Sequence, residues 1–381
     1  MVGTRGVPAR YGGFETCVEE VGRRLADRGH DVSVYGRRTP DAQSLLDSSG
    51  CYRGMRVVGV PSIDTRSTET LSRTALALPH LLTHRPDVVF VFNAANAPLL
   101  PVIRLARIPV VTHVDGLEWK RAKWIGAGRL YYRLAEQFAV RWSDALIADS
   151  SGIARYYDEE FGAPTTQIAY GAPKRSPGAD RLSELGLEPR GYHLVVARFE
   201  PENNLLAIVE GYSRSKTSLP LVVVGEAPYS AQYTADVRAA ADPRVQFVGG
   251  VWDQDLLDQL YANAETYVHG HSVGGSNPSL LRAIGMGAAV LAYDVEFNRE
   301  VLRDAGYFFA TADDLSTLLE EAESSPDALE QLRKGSSGEA LRYDWDQVSA
   351  EYERLARAMM DGSGRPRRRP SGRRRGTGGS R

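Results

Sequence analysis

Two doubly wound α/β domains facing each other across a cleft are the fold that this sequence predicts, and three observations predict it. At 381 residues the chain exceeds what one ordinary core serves, so two domains are the natural division. Short apolar runs alternate with amphipathic helical stretches, the pattern of a parallel sheet covered by helices on both faces. That alternation occurs twice, and a Pro/Gly/Ser/Arg-rich stretch from about 172 to 178 separates the two series. The expected units are 1–172, 173–342, a last helix over 343–360, and a disordered tail over 361–381.

Composition narrows the class. Apolar content of 43% and charged content of 25% suit a soluble globular protein. No apolar run approaches the roughly 20 residues of a membrane-spanning helix, and the start lacks a signal-peptide pattern. Cys17 and Cys51 are the only cysteines, which excludes a disulfide framework and a zinc site and fits a reducing cytoplasm. The net charge of −2 conceals a tail of eight arginines and one aspartate over 361–381. That tail reads as a solvated extension in preference to a lipid or nucleic-acid contact, so no nucleic-acid partner is expected.

Taken in order, the chain opens on Gly3-Thr-Arg-Gly-Val-Pro-Ala-Arg-Tyr-Gly-Gly13, a glycine-rich loop with almost no strand before it. The βα pattern therefore predicts a missing first strand, explained by a start assigned too late or by loss of that strand, with the former preferred. A helix is expected from Phe14 to Arg28, with Cys17, Val18, Val21 and Leu25 on one face. Strands are expected over 31–35, 55–60, 87–92, 110–114 and 145–148, with helices over 71–83, 97–107 and 130–141. The second series places strands at 193–197, 221–224, 245–248, 266–268, 289–292 and 307–309. A last helix is expected from Trp345 to about Met360.

Candidate chemistry lies just after predicted strands, where ligands of such sheets bind. His269-Gly-His-Ser-Val-Gly-Gly-Ser-Asn-Pro278 joins a strand to a helix that Asn277 caps and Pro278 begins. His271, Ser272, Gly274, Gly275, Ser276 and Asn277 are its donors and close-approach positions, and the helix start suits a phosphate. Gly12 and Gly13 open the first helix in the same way, with Arg5 and Arg10 nearby. Arg198 follows the first strand of the second series and is placed to grip a diphosphate; Asn203 or Asn204 caps the next helix. His113 and Asp115 follow a buried strand on one face, either to handle a proton and position a hydroxyl or as a core histidine and a capping aspartate. Trp119 and Trp124, among Lys120, Arg121 and Lys123, form a basic aromatic cluster that suits an anionic membrane surface or a solvated helix start. Asp253-Gln-Asp255 reads as helix capping, and no His/Cys cluster has metal spacing.

Gly3-Thr-Arg-Gly-Val-Pro-Ala-Arg-Tyr-Gly-Gly-Phe-Glu15, Asp115-Gly-Leu-Glu-Trp-Lys-Arg-Ala-Lys123 and Ala197-Arg-Phe-Glu-Pro-Glu-Asn-Asn204 resemble bacterial GT-B glycosyltransferases of family 4. The likeness is to the branch that includes rhamnosyltransferases of polysaccharide assembly. It continues through His269–Ser279 and Phe297-Asn-Arg-Glu-Val301 and leaves out only the arginine tail. The resemblance implies two Rossmann-like domains, with the helix over 343–360 crossing back to the first, and a nucleotide-sugar donor held mainly by the second. It also implies a glycan or polyprenyl-diphosphate-linked acceptor held mainly by the first, and transfer that retains configuration without an essential metal. Arg198 matches the family's diphosphate-binding arginine, and Gly12 and Gly13 match its N-terminal glycine pair. Glu15 is expected to cap its own helix.

Two departures stand out. The lysine usual five residues after the diphosphate arginine is Asn203, and the wider family's paired glutamates fall on Gly274 and Arg282. An arginine cannot accept hydrogen bonds from ribose hydroxyls, which points to a donor needing less ribose recognition, such as dTDP-rhamnose. The implied enzyme is cytoplasmic, peripheral at the inner face of the plasma membrane if residues 119–124 meet the bilayer. A sugar-nucleotide epimerase of the same architecture and a non-catalytic nucleotide-sugar-binding pseudoenzyme are the alternatives.

Overall fold

A computed structural model describes residues 1–9, 12–37, 43–61, 69–114, 117–120, 126–226 and 231–362. Helix α1 (Gly13–Asp27) buries Cys17, Val18, Val21 and Leu25, the face that the 3.6-residue period predicts. Strand β1 (Ser33–Arg37) begins two residues later than its apolar run suggests and pairs in parallel with β3 (Met55–Val60). The short β2 (Cys51–Tyr52) closes that edge antiparallel to β3. Helix α2 spans Glu69–His84. Strands β4 (Val89–Phe92), β5 (Val110–Val114), β6 (Ala145–Ala148) and β7 (Thr166–Gln167) then run parallel in that order.

The anticipated gap in this sheet is filled by two residues. Val2 N donates to Phe90 O at 3.0 Å and Phe92 N to Val2 O at 2.9 Å, while Tyr35 N donates to Met1 O at 3.0 Å. Met1–Val2 thus lies between β1 and β4 and satisfies backbone groups on both, so those neighbours are paired there rather than left open. Counting that segment as the first strand, the order is 3-2-1-4-5-6 with β7 outside, and β2 extends the far edge.

The helix expected over 97–107 divides. Ala94–Leu99 is a 3-10 turn containing Pro98, and α3 (Leu100–Leu105) begins with Pro101 in its first turn. Two prolines lack the N–H groups that one continuous helix would need. Helix α4 (Ala127–Trp142) packs beside both, and α5 (Ser151–Phe161) follows β6.

The second sheet contains β8 (His193–Val196), β9 (Leu221–Val224), β10 (Val245–Gly249), β11 (Thr266–His269), β12 (Val290–Tyr293) and β13 (Gly306–Phe309). All pair in parallel in the order β10-β9-β8-β11-β12-β13. Between them lie α6 (Leu205–Arg214), α7 (Ala231–Ala239), α8 (Gln254–Asn263), α9 (Pro278–Gly285) and α10 (Glu296–Leu302), followed by α11 (Ala312–Ser324) and α12 (Pro326–Ala340). This is the doubly wound order, and its switch point lies between β8 and β11. Strands buried on both faces explain why the sequence shows apolar runs instead of alternation.

Helix α13 (Trp345–Met360) leaves the second sheet and packs on α1. Arg24 Nε donates to Asp346 at 2.6 Å, Tyr352 is wholly buried, and Trp345 lies so close to Gly171 that a side chain there would collide with its indole.

Candidate active site

The loop after β8 carries Arg198, exposed, with Nη1 3.5 Å from Glu200 Oε1. Asn203, in the short 3-10 turn Pro201–Asn203, is buried. Its Nδ2 donates to Arg198 O at 2.8 Å, which leaves Oδ1 toward His271 Nδ1, also at 2.8 Å. A carbonyl oxygen can only accept, so the amide orientation follows and His271 Nδ1 carries a proton. Asn203 therefore stitches the loop after β8 to the loop after β11 at the switch point. Asn204 Nδ2 to Gly270 O at 2.7 Å, and Ser272 Oγ to Glu202 O at 3.0 Å, reinforce the seam.

Beyond His271 the chain turns through Gly274, whose φ of +125° disfavours any side chain, to Gly275. A β-carbon on Gly275 would collide with the carboxylate of Asp149, which follows β6 of the first sheet. Ser276 Oγ donates to Asp149 O at 3.1 Å, and Asn277 caps α9 through Ser279 N at 2.8 Å. The polar side chains expected to grip a ligand thus hold the loop itself. Pro278 has no N–H and Ser279 N is held by Asn277, so what the start of α9 offers an anion is chiefly the positive end of its dipole.

Arg282 is held by side-chain and backbone acceptors of α8. Its Nε donates to Asp258 at 2.6 Å, Nη1 to Gln254 Oε1 at 2.7 Å and Nη2 to Gln254 O at 3.0 Å. Asp258 is 2% exposed, and a carboxylate so buried requires a cation; Arg282 meets one oxygen, and Arg175 Nη1 lies 3.2 Å from the other. Asp253 caps α8 through Asp255 N and Leu256 N, as its sequence position suggests.

The first domain supplies the opposite wall. Gly12 has φ +106° and caps α1 without a side chain, and a β-carbon on Gly13 would sit 2.9 Å from Pro278 Cγ of α9. The two helix starts therefore face each other at a separation that only glycine allows. Glu15 does not cap its own helix: Oε1 accepts from Arg5 N at 3.1 Å and ties down the opening loop.

His113, near the end of β5, is 1% exposed among the rings of Phe14, Phe92 and Tyr170. Tyr352 OH of α13 lies 2.6 Å from its Nδ1 and 3.5 Å from Cys17 Sγ. Burial lowers the imidazole pKa to about 3 and raises the Cys17 thiol to about 12, so both are neutral. His113 thus serves as a neutral hydrogen-bonding ring and not as an acid. Its Nε2 has no hydrogen-bond partner among the described residues. Asp115, Arg10, Arg121, Lys123 and Trp124 lie outside the described residues.

Four site residues escape the sequence reading. Asp149 follows a strand as Arg198 and His271 do, so position alone could have flagged it. Burial raises its pKa to about 7, with the Glu300 charge adding to the effect. Glu300 of α10 accepts from Ser151 Oγ at 2.8 Å and from Gln167 Nε2 at 3.1 Å, joining the two domains. Asn298, wholly buried, donates to His271 O at 3.1 Å. Both belong to the quoted Phe297–Val301 segment but are helical residues without a local signal. Tyr352 reads as ordinary helix core until α13 is placed against β5.

Residues 12–171 match the glycosyl transferase 4-like domain and residues 183–337 the glycosyl transferases group 1 domain. O-antigen chain mannosyltransferase C of Escherichia coli is 23% identical over 268 residues, 66% of this chain and 68% of that protein. O-antigen chain mannosyltransferase B of the same organism is 27% identical over 131 residues. That alignment spans 33% of this chain and about a third, 34%, of the relative. In structure the chain is similar to Alr3699/HepE of Anabaena, solved in complex with UDP. The TM-score is 0.72 at 17% identity, covering 91% of this chain and 96% of that one.

Proposed function

The chain is a glycosyltransferase built from a 4-like and a group 1 domain, and from that premise we propose that it moves a sugar from a nucleoside-diphosphate donor to a glycan growing on a polyprenyl-diphosphate carrier. One observation carries the reading: Arg198 and the start of α9 flank the β8/β11 switch point, and the start of α1 stands opposite at Gly13. In the transfer, the bond from the anomeric carbon to the diphosphate breaks as the acceptor hydroxyl oxygen bonds to that carbon, and the hydroxyl proton passes to the departing diphosphate. Negative charge grows on the diphosphate, where a guanidinium and oriented N–H groups stabilise it without a metal. His113 Nε2 and Asp115 orient sugar or acceptor hydroxyls, and the anomeric configuration is retained. The likeness to a UDP-bound structure and to O-antigen mannosyltransferases supports a nucleotide-sugar donor and a glycan acceptor.

The donor in this reading is a deoxythymidine diphosphate sugar such as dTDP-rhamnose. Its support is Arg282, which stands where the family holds ribose with a carboxylate and is itself tied to Asp258. A thermal-shift panel of dTDP, UDP and GDP tests both levels, since a ligand stabilises the state it binds. Stabilisation by a nucleoside diphosphate, lost in Arg198→Ala, is the expected result. The strongest shift from dTDP supports the finer reading, and an equal or weaker one than UDP or GDP sinks it. Diphosphate release that needs no acceptor would overturn transfer in favour of epimerisation.

A further inference from the structure

The single acid of α4, Glu136, is buried, and its Oε2 accepts from Tyr156 OH of α5 at 2.9 Å. Arg129, Arg133 and Glu136 follow at spacings that place them on one face of α4. That face meets the 3-10 turn Glu118–Lys120, which follows β5 by way of Asp115. Trp119 is the point of contact. Its carbonyl accepts from Arg129 Nε at 3.2 Å, and the Arg133 guanidinium lies 5.2 Å from the centroid of its ring. Arg133 also lies 3.2 Å from Glu160 of α5. The indole nitrogen of Trp119 is shielded from solvent and stands beside Glu136 and Tyr156, where it favours charge on the carboxyl. Two helices thus pin one short turn.

Stability does not account for Glu136. Burial raises its pKa to about 7, and the Glu160 charge adds to the rise, while the Tyr156 hydroxyl, the Arg133 charge and the Trp119 indole oppose it. A carboxyl whose folded pKa exceeds its unfolded one costs stability once ionised, so at neutral pH and above an apolar side chain would suit this core better. What the carboxyl supplies is a join among α4, α5 and the turn. We propose that Glu136 and Tyr156 are positioning residues of the transfer reaction: through Trp119 they fix the turn at 118–120, and with it the loop after β5 on its acceptor. The proposal rests on the transfer reading, which gives acceptor hydroxyls to Asp115 in that loop. The contact also carries a pH dependence of known sign. With the turn in place Glu136 titrates near 7; with the turn displaced, water reaches the carboxyl and its pKa returns toward the ordinary 4.5. Docking of the turn therefore takes up a proton. It weakens by up to about ten-fold per pH unit as pH rises between those two values, then levels off.

Acrylamide quenching of Trp119 fluorescence as a function of pH tests the pinning, with the Trp119 signal taken as the difference between each protein and its Trp119→Phe counterpart. Trp119 should become more accessible as pH rises toward 7, and Glu136→Gln, which still accepts from Tyr156 but cannot ionise, should flatten that profile. Transfer, read as nucleoside-diphosphate release from a dTDP-, UDP- or GDP-sugar with a polyprenyl-diphosphate-linked glycan, tests the role. Glu136→Ala and Tyr156→Phe should each lower it by about ten-fold or more while keeping the parent's thermal shift with nucleoside diphosphate, which a general loss of fold would remove. Tyr156→Phe deletes one hydroxyl without opening a cavity, so it serves if Glu136→Ala fails to fold. Variants that transfer like the parent would overturn the proposal. So would a Trp119 that ignores pH in the parent, or a Glu136→Gln protein that keeps the parent's profile. A parent that releases no nucleoside diphosphate with acceptor present would instead count against the transfer reading, while the quenching profile reads the pinned turn by itself.

Discussion

Asp149 condenses the electrostatics of the cleft into one residue. Its carboxyl is 4% exposed, backs onto Gly275, and has its pKa raised to about 7 by burial. Because the folded pKa lies above the unfolded one, its contribution to stability is complete below about pH 4 and disappears as pH rises through 7. The ionised form then costs on the order of 4 kcal/mol. Asp149→Asn should therefore match the parent near pH 4 and exceed it in urea-unfolding stability at pH 8; a gap that stays constant with pH would refute this. Asn203 makes a complementary case. A lysine there would lose the amide that bonds both Arg198 O and His271 Nδ1. Asn203→Ala should cost about 1–3 kcal/mol from groups left unpaired and should weaken nucleoside-diphosphate binding, read by denaturation and thermal shift together.

At the scale of elements, α9 is positioned by what surrounds its start. Pro278 supplies its first position, Asn277 accepts from Ser279 N, and Leu280, Leu281 and Ile284 bury its inner face. Asn277→Ala should remove about 1 kcal/mol of stability while leaving the domain contact intact. Gly275→Ala acts differently, because its β-carbon meets the Asp149 carboxylate of the other domain. Transfer activity should fall far more than unfolding stability, and adding Asp149→Gly should restore part of it. Activity that Gly275→Ala leaves untouched would show that this approach is unnecessary for turnover.

Across the whole molecule, α13 connects the two sheets. Tyr352 reaches from it to His113 and Cys17, and Arg24 holds Asp346 at the same seam. Tyr352→Phe leaves His113 Nδ1 buried without a partner, and a loss of about 1–3 kcal/mol is expected in urea unfolding. The His113 pKa near 3 adds a pH effect of known sign. A histidine whose folded pKa is depressed loses stability as pH falls below the unfolded value of about 6.5. His113→Gln should therefore flatten the decline in stability between pH 7 and pH 5, compared with the parent by chemical denaturation.

Elements whose signal is local were legible in the sequence. Apolar runs marked β5, β6 and β9 at their observed bounds because strands covered on both faces must be continuously apolar. The span of α13 and the cap at Asn277 follow from side chains that act within a turn or two of their own backbone. The glycines at 12, 13, 274 and 275 were also visible, although their reason was not: Gly13 is required by Pro278 and Gly275 by Asp149, each in the opposite domain. Polar side chains were the harder case. Ser272, Ser276 and Asn203 hold protein atoms, Arg282 answers a buried aspartate 24 residues away, and Glu300 binds a serine 149 residues away. The pairing of Met1–Val2 between β1 and β4 was equally out of reach. The sequence by itself determined the two sheets, their helices and the loops at which a ligand would bind. Only the tertiary structure decided which polar groups in those loops stay available to it, because a hydrogen bond or buried charge is committed by neighbours that chain order does not reveal.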